Sequence, residues 1–331
     1  MEKMLLDFVI SMLVMVLGYF SFAILLVFFG MSKKPVPTHG LEFKNMIIDY
    51  RTLPALKTFT ARDGQKLGYR HYPSSAEKIV ILLHGSGWHS QYFPPLANFI
   101  STEGLAQVFT PDLRGHGPSP ARRGDVDYIG QMEDDLADLI ALIRKDNPNG
   151  PLILGGHSSG GGLAVRFAGG EYGRQADAYL LLAPYLQYNA PTIRPAPGVW
   201  AWPHIGRIIG LTMLNKAGIP WLNGLKVIEF NMPPAAKNGT ETLAYSYRLN
   251  VSYGPRDYQK DLAAITQPLL VVVGSEDEVF YADQFKLVIS RYTKGVVKVL
   301  EGVNHLDIVV RPEVRPVIKE WLLGLGNTRK V

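Results

Sequence analysis

The sequence predicts a doubly wound α/β fold: a mostly parallel sheet, interrupted by an inserted helical cap and preceded by one membrane-spanning helix. Three observations carry this expectation. Short, nearly continuous apolar runs at 79–83, 107–110, 152–154, 179–182, 269–273 and 296–300 have the composition of strands buried on both faces of a parallel sheet. Helical periodicity fills intervals between them, which is the alternation of an α/β protein. An uncharged apolar run at residues 8–30 stands apart from both patterns.

That N-terminal run includes Val14, Leu17, Phe22, Leu26 and Phe28 and is long enough to cross a bilayer as a helix, which takes about 20 apolar residues. A buried core helix would not be apolar on every face at the extreme N-terminus. A cleaved signal peptide has a shorter apolar stretch and a small-x-small site, which Phe28-Phe29-Gly30-Met31 does not offer. Residues 1–34 are therefore expected to be an uncleaved anchor and its short flank. Lys33 and Lys34 follow the run, with Lys44 further on, whereas Lys3 precedes it beside Glu2 and Asp7. The positive-inside rule then places the large C-terminal part in the cytoplasm. Residues 35–55, which follow Lys34 with Pro35-Val36-Pro37, read as a linker.

Beyond the linker, residues 56–60 and 65–72 read as two strands of a hairpin turning at Arg62-Asp63-Gly64. The clearest helix is 128–145, where Ile129, Met132, Leu136, Leu139, Ile140 and Ile143 recur at helical spacing and Asp134, Asp135 and Asp138 face elsewhere. The alternation breaks after residue 184 and resumes at 269. The interval holds many prolines, Trp200, Trp202 and Trp221, and an apolar helical piece at 205–214. It is too long for a loop. Residues 185–265 are read as a cap over the C-terminal edge of the sheet, with 56–184 and 266–331 as the core; Arg194, Arg207 and Arg248 in the cap are read as solvated.

Composition narrows the function classes. The 331 residues are 47% hydrophobic and 19% charged, as in a globular protein with an apolar addition. The net charge of +5 comes from scattered lysines and arginines without the dense stripe that phosphate backbones require, so no nucleic-acid partner is expected. The absence of cysteine excludes disulfides, a cysteine nucleophile and thiolate metal sites. His84, His89, Asp112 and His116 lack the spacing of a zinc motif, and no metal is expected. The run Asp112-Leu113-Arg114-Gly115-His116-Gly117 reads as a structured loop that buttresses a site.

The chemistry concentrates at Gly156-His157-Ser158-Ser159-Gly160, which follows the apolar run 152–154 and opens a helix containing Leu163, Val165 and Phe167. That is the strand–turn–helix context of a nucleophile elbow, where glycines two residues either side of the serine avoid the adjacent backbone. A serine hydroxyl is a poor nucleophile without a base, so a histidine and an acid are required, in the chain order Ser, acid, His. Of eight histidines only His305, in Gly302-Val303-Asn304-His305, follows the acidic loop Gly274-Ser275-Glu276-Asp277. Asp277 is the preferred acid on its position after the strand; Glu276 and Glu278 flank it as alternatives. For an oxyanion, backbone N–H donors are expected from Ser159 at the helix start and from Ser86 in His84-Gly85-Ser86-Gly87.

Taken in order and spacing, the His84 to Gly87, Asp112 to Gly117, Gly156 to Gly160, Gly274 to Asp277 and Asn304-His305 segments resemble the monoacylglycerol lipase and lysophospholipase-like (serine aminopeptidase-type) branch of the α/β-hydrolases. The resemblance spans residues 56–325, excluding the cap. It implies the α/β-hydrolase fold, a triad of Ser158, Asp277 and His305, an oxyanion hole from the N–H groups of Ser86 and Ser159, and no cofactor. Two positions depart from the pattern: Ser159 replaces the bulky residue common after the nucleophile, and Trp88 stands where relatives often carry glutamate.

The expected activity is hydrolysis of a carboxylic ester through an acyl-enzyme on Ser158. The anchor and the Trp-rich cap point to an acyl lipid as the small-molecule substrate, such as a monoacylglycerol or lysophospholipid, and to the membrane as partner. A peptidase or amidase with the same triad is the alternative, although Glu229, Glu241, Asp257 and Asp261 are too dispersed to grip a substrate amine. A membrane-anchored binding protein that kept the fold without catalysis is the other.

Overall fold

The computed structural model describes residues 1–34, 41–43, 46, 48–195 and 200–326. Pro35, Pro37 and Lys44, and with them much of the linker, lie outside the described residues.

Helix α1 (Glu2–Phe29) is long and apolar enough to cross a membrane, and most of its side chains are exposed. The hairpin of β1 (Lys57–Thr60) and β2 (Lys66–Tyr72) follows, antiparallel. It leads into β3 (Ile79–Leu83), α2 (Pro94–Thr102), β4 (Gln107–Pro111), α3 (Gln131–Asp146), β5 (Leu152–His157), α4 (Ser159–Ala168) and β6 (Ala178–Leu182). Every residue of β3, β5 and β6 is buried, because helices cover both faces of the sheet; this is why these strands are mostly apolar rather than alternating, with His157 closing β5.

Between β6 and the next core strand lie β7 (Ala201–Pro203), α5 (Ile205–Lys216), β8 (Lys226–Phe230), β9 (Ala244–Ser246), α6 (Tyr247–Ser252) and α7 (Tyr258–Ala263). The three strands pair antiparallel into a small separate sheet, with β8 in the middle. Residues 185–265 thus contain a sheet as well as helices, and α7 packs on α4 of the core. The chain ends with β10 (Leu269–Gly274), α8 (Ala282–Tyr292), β11 (Val296–Leu300), α9 (Asp307–Val310) and α10 (Val314–Gly324).

The eight-stranded sheet has the order β1-β2-β4-β3-β5-β6-β10-β11, parallel from β4 to β11. Its register fixes the site. Leu83 pairs with Gly156, His157 with Leu182 and Gly274 with Leu300. The loops after β3, β5, β10 and β11 therefore leave the sheet at one edge, where open α/β sheets bind ligands.

Two of the arginines expected to be solvated are not. Arg248 donates to both carboxylate oxygens of Asp125, at 2.8 and 2.5 Å, and to the carbonyl of Asp127. Arg207 donates from Nε to the carbonyl of Val27 (2.9 Å) and from Nη1 to that of Lys226. Both are half-buried, because a charged group withdrawn from water must find acceptors and these lie far along the chain.

Candidate active site

The turn between β5 and α4 holds Ser158 at φ 53° and ψ −120°, a left-handed conformation that costs a non-glycine residue energy and raises its side chain above the sheet edge. The flanking glycines make this turn physically possible. A Cβ on Gly160 would collide with the carbonyl oxygens of Leu83 and His84, and one on Gly156 would collide with the backbone of Gly160. Strand β3 can approach the elbow only because those carbons are missing.

Around Ser158 the predicted residues assemble. His305 Nε2 lies 3.0 Å from Ser158 Oγ, and His305 Nδ1 lies 2.8 Å from Asp277 Oδ2. Asp277 is 1% exposed, and its Oδ1 accepts the N–H groups of Val279 and Phe280, each at 2.8 Å. With three donors on one carboxylate, the aspartate is held in position. Glu276 points to solvent, and Glu278 instead accepts the backbone N–H groups of His305 (2.9 Å) and Glu42 (3.0 Å). The edge of the His305 ring packs on Phe280, 5.2 Å away at 72°. Arg194, also expected to be solvated, donates Nε to the carbonyls of Asp277 and Phe280 and so braces the acidic loop.

Ser86 and Ser159 face each other, their hydroxyls 2.6 Å apart, and both line a pocket with Ser158. Ser159 opens α4, so its N–H belongs to the first helical turn, which has no intrahelical acceptor. On the other side, the N–H groups of Gly85 and Gly87 donate to the hydroxyls of Tyr92 (3.0 Å) and Tyr245 (2.8 Å), which pin the loop either side of Ser86.

Those tyrosines lead to a feature that reading the sequence missed. Each hydroxyl accepts a loop N–H and therefore donates onward, Tyr92 to His157 Nδ1 (2.9 Å) and Tyr245 to His116 Nε2 (2.8 Å). His157 must then carry its proton on Nε2, which donates to the carbonyl of His305 (2.9 Å). One hydrogen-bonded chain thus runs from the Gly85 amide through Tyr92 and His157 to the backbone of His305. His84 is spent similarly, its Nε2 accepting from the Leu113 N–H at 3.1 Å, and Asp112 accepts the Ser90 N–H at 2.9 Å.

Burial holds all three of these histidines neutral: His84 falls to about 4, and His116 and His157 lie well below the usual histidine value, with neighbouring histidines adding to the effect on each. The unfolded chain protonates them near 6.5, so between there and their folded values it binds protons that the folded state refuses. Stability is complete above about pH 7 and is lost as pH falls, by about 1.4 kcal/mol per pH unit for each histidine involved. Urea midpoints followed by tryptophan fluorescence are expected to be flat above about pH 7 and to drop steeply toward about pH 5; a flat profile across that range would contradict the account.

The pocket over Ser158 is lined mainly by apolar groups, among them Ile193, Trp200, Ile228, Phe230, Val279 and Phe280. Trp200, Ile228 and Phe230 come from the segment between β6 and β10, so that segment forms one wall. No described lining residue is an aspartate or glutamate.

Residues 74–306 match the model of a protein family described as serine aminopeptidase, S33. The chain belongs to that family. The chain is similar to a monoacylglycerol lipase of Mycolicibacterium smegmatis, 26% identical over 264 residues that cover 74% of this chain and 88% of the relative. A monoglyceride lipase of Homo sapiens is also 26% identical, over 284 residues covering 81% and 88%. Among solved structures, a soluble variant of the monoglyceride lipase of Saccharomyces cerevisiae in complex with a substrate analogue superimposes with a TM-score of 0.62 at 19% identity, covering 90% of this chain and all of that one. The chain is therefore an S33-family enzyme with the α/β-hydrolase fold.

Proposed function

We propose that this enzyme hydrolyses carboxylic esters of acyl lipids, such as a monoacylglycerol or lysophospholipid, through an acyl-enzyme on Ser158. The observation that carries the reading is His305 standing between Ser158 and Asp277 beneath an apolar pocket. His305 takes the serine proton as Oγ attacks the ester carbonyl, returns it to the leaving alcohol, and then activates the water that releases the fatty acid. Asp277 keeps the imidazole in the tautomer with Nδ1–H and stabilises its charged form. The N–H groups of Ser86 and Ser159 serve the oxyanion, each donor contributing about 2.7–4 kcal/mol in the transition state. Residues 185–265 act as the cap whose inner wall selects the acyl group. The lipase relatives support an ester substrate, and the lack of carboxylates among the described residues of the pocket wall supports it over an N-terminal amine.

On the same reading, α1 is an uncleaved membrane anchor and the enzymatic part faces the cytoplasm, on the charge bias of Lys33 and Lys34. Ala23 and Val27 of α1 are fully buried against Leu211 and Leu214 of α5, so removing the helix would strip a piece of core.

The test is a panel of acyl esters of increasing chain length, with matched amides, assayed in detergent. The expected result is kcat/KM rising with chain length by about 15-fold per added pair of methylenes until the pocket is filled, at about 0.8 kcal/mol per buried methylene, with amides far slower. Equal rates on short and long esters would remove the lipid assignment, and faster amide cleavage would favour a peptidase.

A further inference from the structure

Helix α5 is inside out for a helix in water. Ile205 and Ile209, four residues apart, are 53% and 46% exposed, and Met213 continues the same edge, half-buried. Its polar side chains before the terminal Lys216 are instead consumed within the molecule. Arg207 donates to Val27 and Lys226 carbonyls, Thr212 Oγ to the Ile208 carbonyl with the Tyr247 hydroxyl 3.0 Å away, and Asn215 to the Leu211 carbonyl and the Asn223 side chain. A surface helix normally shows the reverse pattern, whereas internal satisfaction of every polar group is the requirement that lipid imposes.

The packing against α1 is of the same kind. Gly206 and Gly210, one turn apart, let the two helices touch: a Cβ on Gly206 would lie 2.7 Å from the Cα of Gly30, and one on Gly210 would lie 2.6 Å from the carbonyl oxygen of Ala23. Small residues four apart that bring backbones together are the device by which helices associate in bilayers. At the other end, the Tyr19 hydroxyl donates to the Met213 carbonyl at 2.9 Å. Helix α5 therefore runs antiparallel to α1 along its whole second half, from Gly30 to Tyr19.

Length then decides where α5 must be. The part of α1 that α5 leaves uncovered, residues 2–18, measures about 26 Å, and from Phe8, after the last charge, only about 17 Å. The hydrocarbon core of a bilayer is about 30 Å thick. The remainder has to come from residues 19–30, and α5 accompanies every turn of that stretch.

We infer that α5, with its Ile205–Ile209–Met213 edge, is seated in the bilayer leaflet beside the C-terminal half of α1, so that the partner of this face is a lipid surface. The inference rests on the reading of α1 as an anchor and goes beyond it. The placement also bears on the substrate, because Ile228 of β8 packs against the α1–α5 cluster and lines the pocket over Ser158. The pocket is one strand layer away from the proposed lipid.

The chain has no cysteine, so single cysteines can carry an environment-sensitive fluorophore in the full-length protein. Ile209→Cys, Ile205→Cys, Val14→Cys and Leu287→Cys, the last an exposed position on α8, are labelled and reconstituted into phosphatidylcholine–phosphatidylglycerol vesicles containing nitroxide-labelled lipid. The expected result is that labels at 205, 209 and 14 lose fluorescence to the lipid nitroxide and not to aqueous iodide, with the reverse at 287. Lipid quenching at 14 with iodide quenching at 205 and 209 would overturn the inference and leave the anchor standing. Labels at 205 and 209 shielded from both quenchers would place protein, such as a second copy of the chain, on this face and overturn it as well. No lipid quenching at 14 would remove the anchor reading itself.

Discussion

Ser158→Ala is expected to lower kcat on a soluble short-chain ester by about 10⁴- to 10⁶-fold, with KM changed by no more than a few-fold. Oγ is the atom that His305 Nε2 faces at 3.0 Å, and without it the imidazole has no proton to take. The residual rate would come from the oxyanion donors and from positioning. The variant should fold normally. Ala183, in the same chain, already adopts φ 42°, so an alanine at φ 53° is no stranger to this backbone. Steady-state kinetics with a thermal-melt control check the result; activity within tenfold of the wild type would remove Ser158 as the nucleophile.

Asp277→Asn is expected to cost about 10⁴-fold in kcat, nearly as much as losing the nucleophile, although it changes one atom. Asp277 Oδ1 accepts two backbone N–H groups, from Val279 and Phe280. An asparagine keeps its carbonyl oxygen there and so turns its NH2 toward His305 Nδ1. The imidazole must then accept at Nδ1 and carry its proton on Nε2, facing Ser158, where it can donate but not accept. Glu276→Gln, at an exposed position, is expected to stay within about twofold. Glu278→Gln should fall between the two, because Glu278 holds the His305 backbone rather than its ring. If Glu278→Gln cost more than Asp277→Asn, the acid would be misassigned.

How much of this was legible in the sequence varied with the physics of each element. Strands β3, β5, β6 and β10 lie between two layers of helices, so their side chains are mostly apolar and the runs stand out. The small sheet of β7, β8 and β9 left no such trace: its strands have three to five residues and each mixes buried with half-buried positions. Ser158 and His305 were readable because a strained turn and chain order constrain them. For the acid, the loop position favoured Asp277 over its neighbours Glu276 and Glu278, but which carboxylate turns inward depends on the folded loop. Arg194, Arg207 and Arg248 were misread for a related reason: their acceptors lie 83, 180 and 123 positions away, and composition carries no record of such partners. The Tyr92–His157 chain was hidden because its partners lie 65 positions apart. By contrast, the four-residue spacing of Gly206 and Gly210 was present in the sequence, but its meaning needed α1 alongside.

The most direct test of the central claim is the reaction of the full-length protein with a fluorophosphonate. The account predicts a mass increase of one phosphonyl group, mapped by peptide sequencing to Ser158, abolished in Ser158→Ala and strongly slowed in His305→Ala. An unmodified serine, or labelling that persists in Ser158→Ala, would contradict it.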